Sequence, residues 1–231
     1  MSTDAAALYR LMAWLSPAFP TGGFSYSHGL EYAVEAGLVS DRATAEDWIA
    51  GIVRFGAGRG DAQLFALAYR AAEAGDETAL METAELAGAL RGTAELALES
   101  RAQGQAFIQA VERAWPAPGL ARWSAILKAR EIAASLPVSV ALAAQAHGIA
   151  LEPALAAFVQ SFAANLVSAA LRLIPLGQSD GLAILAALEP AVRDAAALGL
   201  AATLETLGSA APVVDWCSMR HETQYTRLFR S

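Results

Sequence analysis

Almost nothing in this chain reads as a β-strand, and that absence limits the fold more than any single motif. β-Branched residues are sparse and alternating apolar–polar runs are missing, while alanine, leucine and glutamate recur throughout. The pattern predicts an all-α, single-domain bundle of about ten helices over residues 1–231, with no internal repeat or linker. The first helix is expected from Asp4 to Leu15 and the second from near Ser25 to Gly37. A third should run from Asp41 or Thr44 to Gly56, with Thr44 and Asp47 as a capping pair and Trp48, Ile49, Ile52, Val53 and Phe55 buried. Gly56-Ala57-Gly58-Arg59-Gly60 reads as a break, after which Asp61 caps a helix to Ala74. Further helices are expected at 77–87, 92–113, 120–134, 137–146 and 152–173, the last burying Leu155, Phe158, Val159, Phe162, Leu166, Ala169 and Leu173. A long helix from Ser179 to Leu207, kinked or broken at Pro190 and Gly199, completes the set. Gly208 to Pro212 then releases the final segment, 209–231.

Hydrophobic residues make up 55% of the chain, and its mean hydropathy is +0.37, so membrane insertion has to be weighed. The longest uncharged runs, Ile132 to Leu151 and Pro153 to Leu171, are long enough to span a bilayer. They contain Pro137, Gln145, His147, Gln160 and Asn165, and much of their apolar character is alanine. Buried central helices are therefore expected, with no membrane partner. Asp4 precedes any apolar run, so no secretory signal is read. One cysteine suits a reducing cytoplasm. Net charge is −7 with a single lysine, Lys128, which argues against nucleic acid as a partner. No G-x-x-x-x-G-K-[S/T] loop occurs, so nucleotide binding of that kind is excluded.

No catalytic residues are assigned. Ser25, Ser27 and His28 lack the strand–elbow–helix setting of a nucleophile and read as hydrogen-bonding groups in a turn. Glu95, Glu99 and Arg101 read as exposed ion pairs along one helix. Cys217 and His221, four residues apart, are weak metal candidates, because two ligands do not complete a site. Two other stretches stand out. Residues 16–31 combine Pro17 and Pro20, which stiffen the loop, with Gly22 and Gly23 and then Phe24 and Tyr26. The final residues keep Tyr225, Leu228, Phe229 and the arginines Arg220, Arg227 and Arg230. Written as a helix, Cys217, His221, Tyr225, Leu228 and Phe229 share one face, and Arg220, Gln224 and Arg227 another. Such a segment packs either on its own domain or on a second protein. Two recognition elements without an active site indicate an interaction protein.

At these residues the sequence resembles the urease accessory protein F (UreF) family. Ser16-Pro17-x-x-Pro20-x-Gly22-x-Phe24-Ser25-Tyr26-Ser27-x-Gly29-Leu30-Glu31 is similar to the family's N-terminal loop. Glu99, Arg101, Gln103 and Gly104 resemble a mid-chain helical pattern, and Asn165-x-Val167-Ser168-Ala169-Ala170-x-Arg172-Leu173-x-Pro175-Leu176-Gly177-Gln178 a later core motif. Residues Ser218 to Ser231 resemble its terminal motif. The resemblance implies an all-α homodimer with a non-enzymatic, chaperone-like role in urease maturation. It would join the accessory protein called D or H and recruit the accessory GTPase G, so that nickel reaches apo-urease. No cofactor is expected to be tightly bound, nickel being handled transiently by the complex. The resemblance places partner binding at Phe24, Tyr26, Ser27, Glu31, Arg220, His221, Glu222, Tyr225, Arg227, Leu228, Phe229 and Arg230, with the terminal segment docking on the D-type partner. His28 stands where the family commonly has glutamine. A composite surface of N-terminal loop and last helix is the expectation. The competing expectations are a GTPase-activating regulator using Arg227 or Arg220 as an arginine finger, and a metal-dependent hydrolase.

Overall fold

The computed structural model describes residues 4–231, and among them every regular element is helical. The α-helices are α1 (Ala5–Trp14), α2 (Leu30–Glu35), α3 (Arg42–Phe55), α4 (Ala57–Ala74), α5 (Glu77–Ala89), α6 (Ala94–Ala114), α7 (Pro118–Ala129), α8 (Leu136–Ala146), α9 (Leu151–Leu173), α10 (Gln178–Ala187), α11 (Glu189–Leu200) and α12 (Pro212–His221). One turn of 3₁₀ helix, Gly23–Ser25, interrupts the loop between α1 and α2. α8 is buried along nearly its whole length, held between α4 and α6. α9 and α11 also pack on α4, and α9 touches α8 as well, so α4, α8 and α9 form the centre of one contiguous apolar cluster.

Local chemistry sets many of the helix ends. Asp41 caps α3 by accepting from the Thr44 amide at 2.9 Å, while the Thr44 hydroxyl reaches back to the Asp41 amide. The box is therefore Asp41 with Thr44, not Thr44 with Asp47. That bond also holds the Asp41 carboxyl below its usual value. Asp76 and Thr93 cap α5 and α6 in the same way. Pro118 and Pro190 occupy first turns, where a missing N–H removes no helical bond.

The glycine-rich stretch after α3 does not behave as the sequence suggested. The chain bends only at Gly56 and is helical again from Ala57, so Gly58 and Gly60 lie inside α4. Gly58 is there for close packing: a Cβ would stand 2.6 Å from the Cα of Val53. Asp61 caps nothing; it is buried and paired with Arg91 at 2.6 Å. Phe55, expected inside, is exposed. The second expected helix is shorter, because Gly29 turns the chain with φ +77° before α2 begins.

The expected helix from Ser179 to Leu207 is two helices and a strap. α10 and α11 meet at Leu188, ahead of Pro190. Gly199 does not break α11; a Cβ there would stand 2.7 Å from the Ala62 carbonyl. Residues 201–211 are irregular because α4 supplies their hydrogen bonds. Arg70 donates to the carbonyls of Leu200 and Ala202, Gln63 to that of Thr206 at 2.9 Å, and Arg59 to that of Gly208 at 3.0 Å. Among the described residues, α9 alone is long and apolar enough to cross a membrane, and half of its apolar window is buried inside the fold.

Candidate functional site

α9 positions the N-terminal loop. Ser161 donates to the Leu15 carbonyl at 3.0 Å, Asn165 to that of Gly23 at 3.2 Å, and Arg172 to that of Phe24 at 2.7 Å. α12 then closes over the loop's end. A side chain at Gly29 would meet the Ser218 amide at 3.0 Å, so the left-handed turn and the close helix approach both require glycine there. Thr93, the cap of α6, fixes α12 through a 2.7 Å hydroxyl pair with Ser218.

Beyond His221 the helix expected to reach Phe229 does not form. A turn over Glu222 and Thr223 ends it, and the chain crosses the N-terminal loop in an irregular path. The reason is a better set of acceptors than another helical turn offers. The Glu31 carboxylate accepts from the amides of Leu228 at 2.6 Å and Phe229 at 2.9 Å. The Arg230 amide donates to the Ser25 carbonyl at 2.8 Å, and the Ser27 amide donates to the Ser231 carbonyl at 2.9 Å. The Ser27 hydroxyl bonds the same Ser231 oxygen. Both sequence motifs thus form one surface.

Beneath it lies a lattice of buried charge. His221 is wholly buried, with Nε2 3.0 Å from Glu31 and Nδ1 2.7 Å from Glu95. Arg227 reaches the other oxygen of Glu95 at 2.8 Å. Glu99 sits deeper, accepting from Ser231 Oγ at 2.7 Å with His28 Nδ1 3.6 Å away. Burial alone would push the Glu99 carboxyl up, but His28, together with Ser231 and Arg91, outweighs it and holds the group below its usual value. The reading of Glu95, Glu99 and Arg101 as exposed pairs is therefore corrected: of these only Arg101 faces solvent, bonding its own helix at Ala97.

The residues singled out from sequence divide into two groups. Tyr26 (3% exposed), Ser27, Glu31, His221 and Phe229 are buried and build the surface from within. Arg172 lies over the Phe229 ring at 4.3 Å and Arg230 over the Tyr26 ring at 5.8 Å. Burial also raises the Tyr26 phenol's pKa, more than nearby Arg230 lowers it. Phe24 (65% exposed), Leu228, Arg220, Glu222, Arg227 and Arg230 face outward, and Tyr225 stands free in solvent. Cys217 and His221 share the buried face of α12, as their spacing predicts, but neither is set up as a metal ligand. Both His221 nitrogens face carboxylates, and burial pushes the Cys217 thiol up to about 11, away from the thiolate a metal needs. Among the described residues no group of three or more His, Cys, Asp or Glu side chains is arranged to hold a metal.

Glu95, Glu99 and Arg172 belong to this site, yet the sequence reading gave them no part in it. Glu95 and Glu99 are four apart on α6, a spacing that signals a shared face but not a partner more than a hundred residues away.

The sequence profile of the UreF family matches residues 39–189. Over almost its entire length the chain is similar to proteins named urease accessory protein UreF. It is 52% identical to that of Bradyrhizobium diazoefficiens over 228 residues, covering 99% of this chain and 93% of the relative. It is 52% identical to that of Rhodopseudomonas palustris, covering 98% of this chain and 94% of the relative. It is 47% identical to that of Magnetococcus marinus, with all of both chains covered. The loop and tail that form the joined surface lie outside the profile match but inside these longer alignments.

Proposed function

The chain belongs to the UreF family, and on that footing we propose that it serves urease maturation as an adaptor with no chemistry of its own. In this reading it works as a homodimer in the cytoplasm. It joins the D/H-type accessory protein and recruits the G-type GTPase, so that nickel passes to apo-urease while being held only transiently. The observation that carries the reading is the joined surface. A buried lattice of Glu31, Glu95, Glu99 and His221 ties the two segments together, and the side chains of Phe24, Tyr225 and Leu228 are exposed around it. Exposed aromatic and aliphatic side chains on a backbone held in this way are what a partner's pockets grip, because little backbone entropy remains to be lost on docking.

An arginine finger is the second reading. Arg227 is held by Glu95, and Arg220 lies against Tyr32 with its Nε 3.3 Å from the phenol oxygen. Either side chain would have to abandon these partners to reach a phosphate, which favours the adaptor.

The test is the double variant Tyr225→Ala/Leu228→Ala, which removes outward contacts and leaves the buried lattice alone. Size-exclusion chromatography with light scattering should find association with the D-type partner weakened by about 2–4 kcal/mol, the range of a lost hot spot. Undiminished association would overturn the docking role. Single-turnover GTP hydrolysis by the G-type protein, accelerated by this chain and lost on Arg227→Ala or Arg220→Ala, would favour the second reading instead.

A further inference from the structure

A partly open cavity of about 250 Å³ lies beside the joined surface, between the N-terminal loop, α6, α8 and α9. His28, Glu99, Ser100 and Gln103 are among its lining residues. All four are buried, yet His28 Nδ1 and Ser100 Oγ have no hydrogen-bond partner. Native proteins seldom leave such atoms unpaired, since each forgoes the hydration it had in water. The imidazole nitrogen is unpaired for a specific reason. The acceptor facing it, Glu99 Oε2, is 3.6 Å away, beyond hydrogen-bond length, and already takes the Ser231 hydroxyl at 2.7 Å.

One carboxylate oxygen is therefore claimed from the tail side and faced from the cavity side. We propose that Glu99 is a two-position relay between the tail and the cavity. With the tail seated, Glu99 bonds Ser231 and leaves His28 Nδ1 without a hydrogen-bond partner. With the tail lifted, the buried anion loses that donor and closes on His28 Nδ1, which faces the same oxygen at 3.6 Å, because a buried charge short of hydrogen bonds is strongly disfavoured. An event at the docking surface is thereby transmitted to a side chain inside the fold, by a shift of well under the width of one residue. Gln103, whose amide donates to Glu99 Oε1 at 3.3 Å, holds the other oxygen and acts as the pivot. Here Glu99 and Ser231 are positioning residues acting on His28.

The relay is a property of the chain alone, so its failure would leave the adaptor reading standing. Three histidines make the test tractable by NMR of the imidazole nitrogens. Ser231→Ala removes one buried hydroxyl and should move the His28 Nδ1 resonance as the new bond forms, while His147 stays in place. Deletion of residues 227–231 should move it in the same direction. In a Glu99→Gln background Ser231→Ala should produce little further change, the relay having been removed. A His28 signal unmoved by Ser231→Ala and by the deletion would overturn the proposal. So would an undiminished shift in the Glu99→Gln background.

Discussion

Glu31 and Glu99 illustrate how much one buried carboxylate can organise. Each oxygen of Glu31 takes a tail amide, and one also meets His221, so a single side chain does the work that a strand partner does in a sheet. Glu99 gives a pH prediction. Its folded pKa lies below the usual 4.5, so the ionised form favours the folded chain above that value, and the contribution is lost as pH falls through the folded value. Glu99→Gln should therefore be less stable than the parent chain at neutral pH, with the difference shrinking on acidification below about 4.5. Thermal melts across that window check it; a difference constant with pH would count against an ionised Glu99. Cys217 has the opposite sign. Its raised pKa favours the folded chain below 9.0 and loses that contribution as pH climbs towards about 11, so thiol reagents should label it at neutral pH only when α12 opens.

Between helices, the glycines separate conformation from packing. Gly104 on α6 meets the chain leading into α8, where a Cβ would stand 2.3 Å from the Ala134 carbonyl. Backbone cannot swing aside as a flexible side chain can, so Gly104→Ala should destabilise by about 3 kcal/mol. Gly51 sits within α3 with nothing near its would-be Cβ. There alanine gains helix propensity without a clash, and Gly51→Ala should stabilise by about 1 kcal/mol. Denaturant titrations of the two variants should move in opposite directions; a shared direction would refute the packing account. Composition treats these glycines alike, which is why Gly58 read as part of a break and turned out to be a contact.

Across the whole molecule, stability is unevenly spread. α4, α8 and α9 share one apolar cluster, whereas the tail is held mainly by hydrogen bonds and ion pairs, with Phe229 as its buried apolar anchor. Native-state hydrogen exchange should therefore find the Leu228, Phe229 and Arg230 amides opening locally, well below the free energy at which α8 amides exchange. Equal protection in the two regions would mean that tail and core unfold together. By itself the sequence determined the all-helical class, most helix positions and the two segments of interest, because propensity, capping and 3.6-residue periodicity act over a few neighbours. The path of residues 222–231 was decided by tertiary structure alone. Its amides and charges are satisfied by Glu31, Glu95 and Glu99 from far along the chain, and only the assembled fold brings those carboxylates close enough to outcompete one more helical turn.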